Sequence, residues 1–220
     1  MKSLADRPRL SKDTVVQAAI TLAGLTSIDA LSMRKLAEAL GVEAMSLYNH
    51  VKNKEDLLDS MLDVVVQAMY IPDLHGNWRQ EIHRATLSSH QVLVANPWAC
   101  VLMVSRPSVG LAKLAHFNAI QGCFCQAGLS PQMADKVRIV IDGYLYGSTQ
   151  QHILYARTEQ DRPQLAAQFL QHVPVDLYPH SYALVKIVAD GLYDGKHDFE
   201  FGLNLLLDGI QHIIQQHSLQ

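Results

Sequence analysis

The sequence predicts an all-α chain: three short helices, a connecting fourth, then a larger helical body. Three observations carry this. Apolar residues recur at three- and four-residue spacing in stretches that open on capping residues and close on glycine or proline. Period-2 alternation and hairpin dipeptides are nearly absent. About half of the 220 residues are apolar (49%), enough for a real core, yet no charge-free run approaches the roughly 20 residues of a membrane span.

The elements read in order. In "SKDTVVQAAITLAG", Ser11 is the N-cap, Asp13 lies in the first turn, Val16, Ala19, Ile20 and Ala23 share a stripe, and Gly24 is the expected stop. "SMRKLAEALG" repeats the pattern, with Ser32 as cap, Met33, Leu36, Ala37 and Leu40 on one face, and Gly41 at the end. "NKEDLLDSMLDVVVQAMY" opens on Asn53 with Asp56 three residues later, a start like a capping box, and is expected to run to Tyr70 before "IPDLHGN" breaks it. Helices are then expected over 78–95, 97–104, 109–127 and 131–155. Asn96-Pro97 and Ser130-Pro131 serve as starts, since proline is tolerated at the first helical position. "TEQDRP" interrupts, 164–178 holds a short helix at most, and helices over 179–190 and 198–215 follow, split by "DGLYDGKHD".

Charge is uneven. The net value is −3, but residues 1–54 carry eight Lys/Arg against five Asp/Glu, so that end is +3 and the remainder −6. A basic end on an acidic body suits one patch facing an anion. Three cysteines, Cys100, Cys123 and Cys125, make no disulfide framework, and the expectation is a reduced, cytoplasmic protein. His83 and His90 lie seven apart without a carboxylate or cysteine at ligand spacing, so no metal and no cofactor is expected. Nucleophile elbow, phosphate loop and HExxH are all missing, which argues against an enzyme.

The functional expectation rests on "LAEALGVEAMSLYNHV". Ala37 lets a second helix cross closely, Gly41 permits the turn, and Leu47, six residues on, plugs the two helices together. This is helix-turn-helix spacing, in which the second helix enters the major groove and the first crosses the phosphate backbone. With Val42 and Leu47 facing inward, Ala44, Met45, Ser46, Tyr48, Asn49 and His50 are left for DNA. Asn49 is the reader of adenine, and Met45 or Ala44 touches a thymine methyl. Tyr48, His50, Arg34, Lys35 and Lys54 reach phosphates, which position without specifying. The organisation is therefore a helix-turn-helix unit over 1–54 and a ligand-binding and dimerisation unit over 55–220, with a connecting helix over 54–70.

"LSMRKLAEALGVEAMSLYNHVKNKEDLLD" resembles the DNA-binding segment of the tetracycline-repressor (TetR) family, and the Leu-Tyr-x-His-Val-Lys-Asn-Lys run is especially similar to the tetracycline repressors. "FEFGLNLLLDGI" resembles that subgroup's last helix, and "SRPS" with "CQAGLS" its middle. The resemblance implies a homodimer whose last two long helices, near 131–155 and 198–215, form a four-helix bundle. It also implies an operator-binding repressor released when a small effector enters the body. In that subgroup the drug arrives as a magnesium chelate held by two histidines and a glutamate. Tyr70, Leu102 and Gln151 stand there in this chain, and Ala85 and Ser89 replace the drug-binding asparagine and phenylalanine. Leucine offers no oxygen to a hard cation, so a different effector is expected. Asn49 replaces a tryptophan, so a different operator is expected too.

Polar groups on apolar helices supply the candidate effector site: Arg138 and Asp142, four apart, with His116, Asn118, Tyr70, Trp98, Leu102, Met103 and Arg106. Arg138 and Asp142 read equally well as an intrahelical ion pair. The alternative function is a DNA-binding architectural or activating protein without a small effector. Gly143 and Gly147, and Gly202 and Gly209, let another backbone approach the two long helices, at the dimer interface or inside the fold.

Overall fold

The computed structural model describes residues 10–106, 110–156, 161–194 and 198–217. Among them the chain forms eleven helices and no strand. The N-terminal helices are α1 (Lys12–Leu25), α2 (Met33–Leu40) and α3 (Ala44–Leu47), and α4 (Lys54–Gln67) leads into the body. The body holds α5 (Trp78–Ala95), α6 (Pro97–Ser105), α7 (Leu111–Gln126), α8 (Pro131–Ala156), α9 (Arg162–Leu170), α10 (Pro179–Ala189) and α11 (Phe199–His217).

Starts follow their caps. Ser11, Ser32, Asn53 and Asn77 each accept a backbone N–H from the third residue on. Stops follow geometry more than composition. Gly41 sits in the left-handed region (φ 66°), and the Val42 N–H reaches the Ala37 carbonyl, a six-to-one closure that ends α2. Gly24, expected to end α1, lies inside it: Thr26 closes the helix by donating both its N–H and its Oγ1–H to the Leu22 carbonyl. The connecting helix ends at Gln67 rather than Tyr70, because the Tyr70 N–H is taken by the Ser88 hydroxyl of α5 (3.0 Å). The doubtful stretch at 164–178 holds α9, which ends at Leu170. The expected helix start at 109 falls outside the described residues.

A single buried apolar cluster runs from α1 through α4 into the body. In the N-terminal unit it contains Val15, Val16, Ala19, Leu36, Leu47 and Val51. It continues along α4 through Leu57, Leu58, Met61, Leu62, Val65 and Val66, then into α5–α8 and α11. α4 packs on α1 behind it and on α5, α6 and α7 ahead, so a change in the body has a continuous path to the first three helices. α5 and α6 meet at 115°, around Pro97. α8 packs on α5, α6, α7 and α11. α9 and α10 pack chiefly on each other and bury no residue fully. No single helix among the described residues is long and apolar enough to cross a membrane.

Candidate nucleic-acid interface and the α4–α6–α7 linkage

α3 is only four residues long, far below the length at which a helix is stable in water. It is held from below. Leu47 is 0% exposed and Val51 2%. Val42, expected to be the second anchor, is only half-buried; Val51 is the residue that sequence reasoning missed. Successive short turns continue α3. The N–H groups of Tyr48, Asn49 and His50 donate to the carbonyls of Met45, Ser46 and Leu47 (3.2, 3.4 and 2.9 Å). The presenting element therefore extends to His50.

Its outer face is apolar and unpacked. Met45 is 75% exposed and Tyr48 43%, with Asn49 exposed beside them and Ser46 and His50 half-buried. Ala44 is the exception, since it packs against the core and has little surface left for a groove. Arg34 and Lys35 are exposed at the start of α2. Lys54 is the first residue of α4 and half-buried. That helix start is already capped by the chain: Asn53 Oδ1 accepts the Asp56 N–H (2.9 Å), and Asp56 Oδ2 accepts the Lys52 N–H (2.8 Å). Positive charge at this point comes from side chains more than from free helix-end donors.

Behind this face, three carboxylates, Glu55, Asp59 and Asp63, repeat every fourth residue along α4 and grip the ends of α6 and α7. Arg106, at the end of α6, donates from Nε and Nη2 to Asp59 Oδ1 (3.0 and 2.7 Å), from Nη1 to Glu55 Oε2, and from Nη2 to the Glu55 carbonyl (3.2 Å). The Asp63 carboxylate accepts the Ala112 N–H in the first turn of α7, and burial raises its pKa above the usual carboxylate range. Gly110 lets it come so close, since a Cβ there would stand 1.8 Å from Asp63 Oδ1. Arg106, expected to line the effector site, is thus committed to α4. Its two partners, Glu55 and Asp59, were visible in the sequence as an i, i+4 pair, but nothing local indicated what they faced.

The other candidate effector residues are divided. Trp98, Leu102 and Met103 are buried on α6. The Tyr70 hydroxyl donates to Glu81 Oε2 (2.7 Å) and its ring lies under the Arg84 guanidinium (3.9 Å). The Tyr70 hydrogen bond raises the tyrosine pKa, and together with the Asp73 N–H it lowers that of Glu81. His116 keeps a buried Nε2 without a hydrogen-bond partner, and burial lowers its pKa against a hydrogen bond to the Tyr70 backbone. Arg138 pairs with both Asp142 and Asp135 (the latter 2.8 Å) and stacks over Phe117, while its Nε remains buried and unpartnered. Burial raises the Asp142 pKa, with Arg138 opposing. Asn118, expected beside them, is solvent-exposed on α7 and does not face the interior. His83 and His90 do not converge: His83 Nε2 lies 3.4 Å from Glu200, whereas His90 Nδ1 meets Thr149 (2.9 Å) and its ring stacks on Phe199.

A short helix held by two buried side chains, with an apolar and amide-bearing outer face at the basic end of the chain, defines a helix-turn-helix DNA-binding protein with a helical body attached. The chain belongs to the tetR family of bacterial regulatory proteins. The family's DNA-binding model matches residues 15–61, and the "Tetracyclin repressor-like, C-terminal domain" model matches residues 71–214. The chain is 30% identical to the HTH-type transcriptional repressor DrrR1 of Streptomyces coeruleorubidus, over 97% of this chain and 82% of that one. To the class A tetracycline repressor of transposon 1721 from Escherichia coli it is also 30% identical, over 64% and 66% of the two chains. Among solved structures, the TetR family protein ActR of Streptomyces coelicolor in complex with actinorhodin superposes with a TM-score of 0.75. That match has 22% identity and covers 94% of this chain and 99% of that one. BioQ bound to its double-stranded DNA operator superposes at 0.58, with 24% identity over 92% and 98%.

Proposed function

We propose that the protein is a transcriptional repressor that binds a palindromic operator as a homodimer and releases it when a small molecule occupies the helical body. The observation that carries the reading is α3: Leu47 is fully buried while Met45 and Tyr48 on the same short element are left in solvent. That outer face is completed by a major groove. The operators and effectors in the relatives' names, BioQ with DNA and ActR with actinorhodin, support the class of ligand on each side. The effector is not a tetracycline–magnesium chelate, because Leu102 gives a hard cation no oxygen.

The homodimer forms through α8 and α11. Ile139 and Val140 on α8 and Phe201 and Leu205 on α11 are each more than half exposed. Between the two helices runs an apolar groove of about 310 Å³ lined by Met133, Val137, Val140, Leu205 and Ile210. Gly143, Gly147 and Gly209 have nothing within 4 Å of where a Cβ would stand, so their bare backbone is free for a partner. Gly202 is used within the chain, against the Tyr144 ring. Leu205→Glu places two like charges near each other across a two-fold axis. It is expected to raise the dimer dissociation constant by about 100-fold or more with the monomer still folded. Sedimentation velocity against circular dichroism reads both.

Two substitutions test the DNA face, using an operator selected from a random duplex pool. Asn49→Ala is expected to relax preference at one base pair by about 1–3 kcal/mol; uniform weakening across sequences would make Asn49 a phosphate contact. Lys54→Ala is expected to weaken all sequences and lower the salt slope by about one. An unchanged slope removes Lys54 from the footprint.

A further inference from the structure

Four helices of this chain bring their own caps: Ser11, Ser32, Asn53 and Asn77 each accept a backbone N–H of the first turn. α7 does not. Its N-cap is Gly110, which has no side chain to offer. The Leu114 N–H donates to the Gly110 carbonyl (3.0 Å) and opens the bonding within the helix, so the N–H groups before it need acceptors from elsewhere. Ala112 is the second residue of α7, and its N–H is one that an N-cap side chain ordinarily takes. Here the acceptor is the Asp63 carboxylate of α4. It stands where a capping side chain would stand, since a Cβ on Gly110 would collide with both of its oxygens. A negative charge there also suits the positive end of the helix.

Little else holds that turn. Leu111 is 82% exposed and Leu114 51%, and Ala115 is exposed too. Ala112 packs on the core, but full burial along α7 begins only at Ala119 and Ile120. We propose that Asp63 is the N-cap of α7, lent by α4, so that the first turn of α7 is helical while α4 is docked and frays when α4 moves away. The turn and α4 then make one two-state element. Lys113, in the same turn, donates from Nζ to the Met103 carbonyl of α6 (3.4 Å), so fraying also frees the end of α6. That α4 moves with the DNA-reading helices rests on the repressor reading; the cap itself does not, and is measured on the free full chain.

Amide exchange reads it. Asp63→Ala is expected to speed exchange at 112–115 about fivefold. Exchange over 60–67 of α4 should quicken as well, because coupling is reciprocal, and exchange at 119–126 should not change. Asp63→Asn keeps an acceptor oxygen and is expected to stay within about twofold of wild type. The decisive variant combines Asp63→Ala with Gly110→Asp, which moves the carboxylate from α4 to α7 itself. Slow exchange at 112–115 is expected to return while that over 60–67 stays fast. The proposal is overturned if Asp63→Ala leaves 112–115 unchanged or if Asp63→Asn exchanges as fast as Asp63→Ala. It is also overturned if the transplanted carboxylate restores both segments or neither. No DNA enters the measurement, so its failure is distinct from a failure of the repressor reading.

Discussion

Leu47→Ala is expected to cost the protein about 2–5 kcal/mol and to abolish selective operator binding. Leu47 is 0% exposed and lies in the apolar cluster with Leu36, Val51 and Leu57. A helix of four residues has no stability of its own, so α3 is oriented only by what its inner side chains touch. Truncation leaves a cavity under it and Val51 as the one remaining fully buried anchor. The contrast is Met45→Ala on the same element. Met45 is 75% exposed, so stability should stay within about 0.5 kcal/mol while operator affinity falls. Urea denaturation and fluorescence anisotropy on the selected operator separate the two variants. If Leu47→Ala binds the operator like wild type, α3 is not the reading element.

The same pair of residues marks how far the sequence could be read. Gly41 and Leu47 were legible because a left-handed turn and a plug six residues later follow local rules, and the structure has Gly41 at φ 66° and Leu47 buried. Caps were legible for the same reason: Ser11, Ser32 and Asn53 bond to the third N–H on. What could not be read was long-range. Gly24 looked like a stop, but a glycine tolerates right-handed helix, and Thr26 supplied the closure instead. Asn118 looked like an interior polar group, yet the rotation of α7 that exposes it is fixed by packing on α4, α5 and α8. Arg106 looked like a ligand contact because its Ser-Arg-Pro run resembles the middle of the tetracycline repressors; its carboxylates lie 47 and 51 residues earlier, beyond any local signal. Val51 was passed over because it lies beyond the last turn of α3, where a helical face no longer predicts direction.

Arg106→Ala is expected to lower stability by about 1–3 kcal/mol and, more tellingly, to separate effector binding from operator release. Arg106 has 14% of its side chain exposed and binds Asp59 through two nitrogens and Glu55 through a third. Its removal leaves Glu55, Asp59 and Asp63 as like charges on one face of α4, with Asp59 no longer neutralised. The α7 end of the linkage, Asp63 with Ala112, survives. Of the two polar ties between α4 and the body, one then remains beside the apolar contacts. Amide exchange over 54–67 should accelerate, while exchange in α8 should not. Coupling between sites is reciprocal, so the ratio of effector affinities with and without operator measures it; in Arg106→Ala that ratio should move toward one. Arg106→Lys retains the charge but not the planar fork that spans two carboxylates, and should fall between. A variant that loses stability yet keeps the wild-type ratio would show that Arg106 only holds α6 down, and that the signal to the reading heads travels through the apolar contacts of α4 alone.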